Sequence, residues 1–244
     1  MLKKVMDVKV NYYFNDIGSD TTFVLLHGWG QNIEMMLPIG DKFKNKYNIL
    51  IIDLPGFGKS SEPTYSWSVS DYALCVKKIV DSLELEKIIL IGHSFGGRVG
   101  LIYASKYSVD KLICLASPYC REITKLSFKT KVYKRIKNIS CLNWLANIIK
   151  NKTGSVDYKN ASEVMRGVMV QSINLEMDDD IKKIKAPTLL IWGSNDTAVP
   201  VKRAYELNEL IKNSKVIVYD DATHYAYLER LNDVVNEINE FIRK

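Results

Sequence analysis

A serine stands at the centre of the pattern Gly-His-Ser-Phe-Gly at residues 92–96, the strongest candidate for a nucleophile in the chain. An apolar run over Lys87–Ile91 predicts a buried strand before it, and a helical pattern follows to about Ser105. A serine on so sharp a strand-to-helix turn adopts strained backbone angles, so its flanking glycines remove bulk that would clash. The turn exposes the Ser94 hydroxyl and directs the Phe95 amide to where an oxyanion would be held.

His224 is the predicted base for this serine, because a serine hydroxyl is a poor nucleophile without one. It is the only histidine in the C-terminal half and follows the last predicted strand on a short loop. Asp196, just past another predicted strand, is expected to fix the imidazole tautomer. Asp220 and Asp221 are nearer in sequence, but a carboxylate three or four residues before the histidine would struggle to reach its Nδ1. With Ser94, these residues predict acyl transfer.

A second oxyanion donor is expected in the loop His27-Gly-Trp-Gly30, which follows a short apolar run. The Trp29 amide is the candidate, because the preceding glycine lets the loop turn close to the serine, and it would act together with the Phe95 amide. His27 is interpreted as a structural hydrogen-bonding group. The Trp29 ring fits either an acyl pocket or simple core packing.

Two glycine-containing patterns resemble phosphate-binding loops and fail as such. The stretch Gly58-Lys-Ser60 ends like a P-loop, but the glycine required five residues earlier is Asp53. The stretch Gly56-Phe-Gly58 begins a dinucleotide fingerprint, but its third glycine position is Ser61. Residues 53–60 are therefore interpreted as a tight loop that braces the site.

Strands and helices alternate along the chain, which is typical of a largely parallel sheet covered by helices. Ser68 and Asp71 have the spacing of a helix capping pair, and apolar residues at helical spacing follow to Leu83. Another helix is predicted from about 200 to 211, and a closing helix over 228–241. The predicted strands are Val8–Phe14, Phe23–Leu26, Ile49–Leu54, Lys87–Ile91, Leu112–Ala116, Ala186–Trp192 and Lys215–Tyr219.

The alternation stops over residues 119–177, which predicts an inserted helical cap. Residues 1–118 and 178–244 would then form one α/β core around it. The apolar residues with helical spacing in this segment are Leu142, Leu145, Ile148, Ile149, Val164, Val168 and Met169.

The composition of the 244 residues, 47% hydrophobic and 25% charged, is that of a globular protein rather than a disordered or membrane one. The first residues lack the apolar core of a signal peptide, so the predicted location is the cytoplasm. Cys75 and Cys114 lie in apolar periodic segments and are predicted to be buried reduced thiols, while Cys120 and Cys141 complete no metal-like pattern. With only three histidines, no metal site is expected.

Positive charge is concentrated between Arg121 and Lys152, where nine lysines and arginines face one acid, Glu122. Such a segment would suit an acidic acyl carrier protein, although a lysine-rich helical face is more commonly solvated surface. No aromatic platform is interleaved with the lysines, so a nucleic-acid partner is not expected.

These motifs resemble those of the α/β-hydrolase superfamily over essentially the whole chain outside the inserted segment. The resemblance implies an α/β fold with a mostly parallel eight-stranded sheet, a lid over the active site and two-step acyl transfer without a cofactor. The stretches that carry it are His27–Gly30, Asp53–Gly58, Gly92–Gly97, Pro187–Gly193 with Asp196, and His224.

The resemblance leaves the subclass open. Residues 27–32 and 53–58 are similar to the pimeloyl-carrier-protein methyl esterases. The carbon–carbon bond hydrolases typically carry Gly-Asn-Ser at the elbow and a tryptophan after the catalytic histidine, where this chain has His93 and Tyr225. Haloalkane dehalogenases use an aspartate at the position of Ser94. Cleavage of a small-molecule carboxylic ester is the predicted function, and a binding protein that keeps the fold without the chemistry is the alternative.

Overall fold

The computed structural model describes residues 1–121, 158 and 160–243, and their centre is an eight-stranded sheet. The spatial order is β1-β2-β4-β3-β5-β6-β7-β8, and β3 to β8 pair in parallel while β1 and β2 are antiparallel. The predicted mostly parallel sheet of eight strands is confirmed. The strands are β1 Leu2–Val5, β2 Val8–Asn15, β3 Thr21–Leu26, β4 Asn48–Ile52, β5 Lys87–His93, β6 Lys111–Leu115, β7 Thr188–Gly193 and β8 Ser214–Tyr219.

Helices cover both faces of the sheet, because alternate residues of its central strands are buried on opposite sides. Along β5, Leu90 packs into one apolar cluster, whereas Ile89 and Ile91 pack into the other. The helices are α1 Leu37–Phe43, α2 Val69–Ser82, α3 Phe95–Lys106, α4 Glu163–Asn174, α5 Asp178–Ile181, α6 Lys202–Leu210, α7 Ala226–Glu229 and α8 Leu231–Arg243, with a 3-10 turn at Ile33–Met35.

The strand order reverses direction at β3, which places β4 on one side of it and β5 on the other. In open α/β sheets a crevice forms outside the carboxyl ends of the strands at such a point, and ligands bind there. The loops after β3 and β5 carry Trp29 and Ser94, so two of the predicted functional residues lie at this crevice.

The inserted segment predicted over 119–177 is described only at its ends. Helix α4 confirms the helical spacing of Val164, Val168 and Met169. The predicted helical residues Leu142–Ile149, Cys141 and nearly all of the basic stretch lie outside the described residues. The division into core and cap therefore stays a prediction.

The described cysteines Cys75, Cys114 and Cys120 are buried, and the first two are reduced thiols, as predicted. Burial raises the pKa of the Cys75 and Cys114 thiols to about 12, because a thiolate would have to form away from water. Within residues 1–121 and 160–243, no helix combines the length and apolar character needed to cross a bilayer.

Replacing Ser68 by Ala should lower the free energy of unfolding by about 1 kcal/mol. Ser68 and Asp71 form a reciprocal capping box, in which the Asp71 carboxylate accepts the Ser68 amide at 2.8 Å. Urea denaturation of both proteins measures the difference. Ser82→Ala is the control at the other end of the helix, since that hydroxyl only returns to the Ile79 carbonyl. Equal losses in both variants would contradict the capping role.

Candidate active site

The turn that carries Ser94 has the strained geometry expected of a nucleophile elbow. Ser94 has φ 50° and ψ −111°, a backbone conformation rare for a residue with a side chain. Its amide donates to the Leu115 carbonyl at 2.9 Å, which ties the turn to β6. A side chain at Gly92 would strike the Gly96 backbone, and one at Gly96 would strike the end of β3. The two glycines therefore let strand, turn and helix approach closely.

The structure brings His224 and Asp196 together at the carboxyl end of the sheet. His224 Nδ1 lies 2.8 Å from Asp196 Oδ2, and the Asp196 side chain is fully buried. The other oxygen, Oδ1, accepts the amides of Ala198 and Val199, both at 2.8 Å. These bonds fix the carboxylate and leave one oxygen for the imidazole. Asp220 and Asp221, the two alternatives nearer in sequence, are exposed on the loop before His224.

The histidine loop, residues 220–225 after β8, packs against the elbow, the turn at residues 92–96. The contact is made by His93, the residue before Ser94. His93 Nε2 lies 3.1 Å from the His224 carbonyl oxygen, and the two rings are 4.8 Å apart. Among the described residues, Ser94 Oγ makes no hydrogen bond to His224. Bonds of this kind commonly tighten only when substrate is bound.

The two predicted oxyanion donors belong to neighbouring loops. Phe95 is the first residue of α3, so its amide has no partner within the helix. Neither that amide nor the Trp29 amide meets an acceptor among the described residues. The Trp29 and Phe95 rings pack edge to face with centroids 5.3 Å apart. Neither amide is therefore occupied by another described group, which the predicted oxyanion role requires.

Gln31 links the predicted oxyanion loop, residues 27–32 after β3, to the histidine loop. The sequence analysis missed this role. Its Oε1 accepts the Gly28 amide at 2.9 Å, and its Nε2 donates to the Tyr225 hydroxyl at 3.4 Å. Gln31 is 194 residues from Tyr225 in the sequence, so no local pattern reveals this bond.

Buried polar groups hold the oxyanion loop from behind, as predicted for His27. Its Nε2 accepts the Leu54 amide at 3.0 Å, so Nδ1 carries the proton and donates to the Gly28 carbonyl at 2.7 Å. Burial lowers the pKa of His27 and keeps the ring neutral. Asp53 accepts the amides of Ile33 and Lys59, each at 2.8 Å. The interpretation of residues 53–60 as a brace fits these contacts.

Arg98 is a buried cation one turn after Ser94, and the sequence analysis did not identify it. Its Nη1 donates to the carbonyls of Ser172 and Leu175 at the C-terminal end of α4, and its Nη2 donates to the Cys120 carbonyl. A helix C-terminus has unpaired carbonyls and partial negative charge, which suits a guanidinium. Helix α3, which begins directly after Ser94, is thereby fixed to both described ends of the predicted inserted segment.

A family model described as the alpha/beta hydrolase fold matches residues 21–130 and 120–231. The pimeloyl-[acyl-carrier protein] methyl ester esterase of Aliivibrio fischeri (strain MJ11) is 24% identical, with 95% of this chain and 97% of the relative covered. The 2-hydroxy-6-oxononadienedioate/2-hydroxy-6-oxononatrienedioate hydrolase of Escherichia coli (strain K12) is 27% identical, with 93% and 88% covered.

Among solved structures, a malate-bound thermophilic esterase from Thermogutta terrifontis superposes with a TM-score of 0.75. The match covers 100% of this chain and 98% of that one at 19% identity, which shows a shared fold.

The unfolding free energy should decrease below pH 6.5 more steeply in the wild type than in His93→Asn. Burial, reinforced by His224, lowers the pKa of His93 from 6.5 to about 3. Between these values the unfolded chain binds a proton that the folded protein excludes, so stability decreases as the pH falls. The difference approaches about 1.4 kcal/mol per pH unit. Urea denaturation from pH 7.5 to 4.5 measures both slopes, and parallel curves would contradict the assignment.

Arg98→Met should lower the free energy of unfolding by about 3 kcal/mol, because buried carbonyls lose a charged donor. Arg98→Lys keeps the charge without the planar fork and should recover part of the loss. The control is Arg230→Met, which removes an exposed arginine paired with Asp233 and should change stability by less than about 0.5 kcal/mol. Equal losses for Arg98→Met and Arg230→Met would show that Arg98 does not hold this junction.

Proposed function

Because the chain belongs to the α/β-hydrolase family, we propose that this hydrolase cleaves carboxylic esters through a Ser94 acyl-enzyme. The observation that carries the proposal is the 2.8 Å contact between His224 Nδ1 and a fully buried Asp196, placed against a strained serine elbow. A buried carboxylate that orients a histidine beside a serine is the arrangement that activates a serine for acyl transfer.

In the first step, Ser94 Oγ attacks the ester carbonyl while its proton passes to Nε2 of His224. Asp196 keeps the proton of the neutral imidazole on Nδ1, so that Nε2 is free to accept, and it stabilises the imidazolium that forms. The carbonyl oxygen becomes an oxyanion, held by the amides of Phe95 and Trp29. One such donor is commonly worth about 3 kcal/mol of transition-state stabilisation.

The second half of the reaction mirrors the first. The imidazolium gives its proton to the departing alkoxide, the carbon–oxygen bond breaks, and the acyl group remains on Ser94. Water then attacks the acyl-enzyme and gives its proton to His224. When the tetrahedral intermediate collapses, His224 returns the proton to Ser94 and the acid leaves.

Relatives support two finer variants of this chemistry. The Aliivibrio fischeri relative is a carrier-protein methyl ester esterase, which supports ester cleavage. The Escherichia coli relative acts on a 2-hydroxy-6-oxo dioate, so carbon–carbon bond hydrolysis is the second candidate. His93 and Tyr225 depart from the pattern of that second class at both positions noted above. We therefore favour the ester.

Turnover of p-nitrophenyl esters from acetyl to palmitoyl should depend on Ser94 and Asp196. Ser94→Ala should abolish turnover, and Asp196→Asn should lower kcat by about 10⁴-fold, because the asparagine favours the wrong imidazole tautomer. Steady-state kinetics with circular dichroism, as a check of folding, measures both effects.

The matched controls are Asp220→Asn and Asp221→Asn, which remove the same charge from the two nearby carboxylates and should retain kcat within about twofold. An active Ser94→Ala protein, or equal losses in all three aspartate variants, would contradict the assignment. No turnover by the wild type on any ester would favour the carbon–carbon hydrolase or a binding protein.

A further inference from the structure

The peptide unit that contains the Trp29 amide is held at its carbonyl by two donors. That carbonyl belongs to Gly28, and it accepts His27 Nδ1–H at 2.7 Å and the Gln31 backbone N–H at 3.2 Å. Because a trans peptide bond is planar, its carbonyl and its N–H point in opposite directions. The groups that bind the Gly28 carbonyl therefore fix the direction of the Trp29 N–H, the predicted oxyanion donor.

The Gln31 side chain holds the same glycine through its amide. Gln31 Oε1 accepts the Gly28 N–H at 2.9 Å, and Oε1 also lies 3.2 Å from Nδ1 of the fully buried His93. A Cβ on Gly28 would lie 2.9 Å from both of these side-chain atoms, so a larger residue there would displace them. Gln31 thus joins the oxyanion loop to the His93 ring.

His93 has one proton for two acceptors. Burial, reinforced by His224, lowers the pKa of His93 to about 3, so the ring is neutral at pH 7 and has a single N–H. Nδ1 faces Gln31 Oε1, and Nε2 lies 3.1 Å from the His224 carbonyl oxygen. Neither oxygen is a donor, so each ring nitrogen makes its hydrogen bond only while it holds the proton. The two contacts therefore compete.

We propose that Gln31 and His93 are positioning residues, and that the one His93 proton couples the predicted oxyanion loop to the histidine loop. The inference rests on the proposed esterase function and deepens it. With the proton on Nδ1, His93 donates to Gln31 and supports the turn that presents the Trp29 amide. With the proton on Nε2, it donates to the His224 carbonyl and fixes the backbone of the predicted base.

Nitrogen-15 NMR of the histidine rings measures where this proton lies, and the chain has only three histidines. The His93 signals are assigned by their loss in His93→Asn, and all spectra are recorded at pH 8. Gln31→Met removes the acceptor at Nδ1 and should move the proton to Nε2. Gln31→Glu places a carboxylate there and should move it to Nδ1. Equal His93 shifts in the wild type and both Gln31 variants would overturn the coupling.

Steady-state kinetics on p-nitrophenyl esters tests the positioning role. Gln31→Met should lower kcat by about tenfold or more and change KM by less than about twofold, because the oxyanion forms only in the transition state. Gln171→Met is the matched control, since it removes an exposed glutamine amide that donates to the Ser66 carbonyl at 3.2 Å. It should leave both kcat and the His93 signals unchanged.

The two measurements separate this inference from the esterase function on which it rests. Ser94-dependent turnover with the same kcat in the wild type, Gln31→Met and Gln171→Met would overturn the positioning role and leave the esterase standing. The expected proton shifts without any Ser94-dependent turnover would overturn the esterase and retain the coupling between the two loops.

Discussion

The close approach of backbone to backbone around Ser94 is the constraint on which the rest of the site depends. A serine at φ 50° stores strain that the surrounding structure must offset. This serine conformation is held because Gly92 and Gly96 have no side chains, so β5, the turn and α3 can pack closely. The Ser94 amide also donates a hydrogen bond to the Leu115 carbonyl of β6. The first turn of α3 then lies against the end of β3, which leads into the loop of the other predicted oxyanion donor, the Trp29 amide.

Around that fixed point, the sheet collects groups that are far apart in sequence. Asp196 and His224 follow different parallel strands, whose carboxyl ends lie along one edge of the sheet. Two backbone amides fix the Asp196 carboxylate. His93, which precedes Ser94, contacts the backbone of the histidine loop. Gln31 joins the oxyanion loop to the same region. Each group is held by a partner on another element, and such preorganisation is what the proposed acyl transfer would require.

Local signals in the sequence predicted much of this arrangement. The elbow, the capping box at Ser68 and seven of the eight strands each depend on residues close together in the chain, so periodicity and glycine spacing identify them. Strand β1 was missed because its four residues, Leu2-Lys-Lys-Val5, do not alternate between apolar and polar and are too few to distinguish from a loop. Helix α1 was missed because it has only seven residues and includes a proline and a glycine.

The contacts that support the site could not be read from the sequence. The bonds of Gln31 to Tyr225 and of Arg98 to the ends of the inserted segment join residues that only the folded sheet brings together. For Asp196 the sequence argument proceeds by elimination, because a carboxylate three or four residues before the histidine would struggle to reach its Nδ1. Substrate class depends on the side chains around the bound acyl group, and a motif does not report where those lie.

Covalent labelling of Ser94 by a fluorophosphonate tests the central claim most directly, because only an activated serine reacts readily with such a reagent. Intact-mass and peptide mass spectrometry should show a single adduct on Ser94. Replacing His224 by Ala should slow its formation by at least about 10³-fold, because the base is lost. An unlabelled wild-type protein, or equal labelling of the wild type and His224→Ala, would contradict the account.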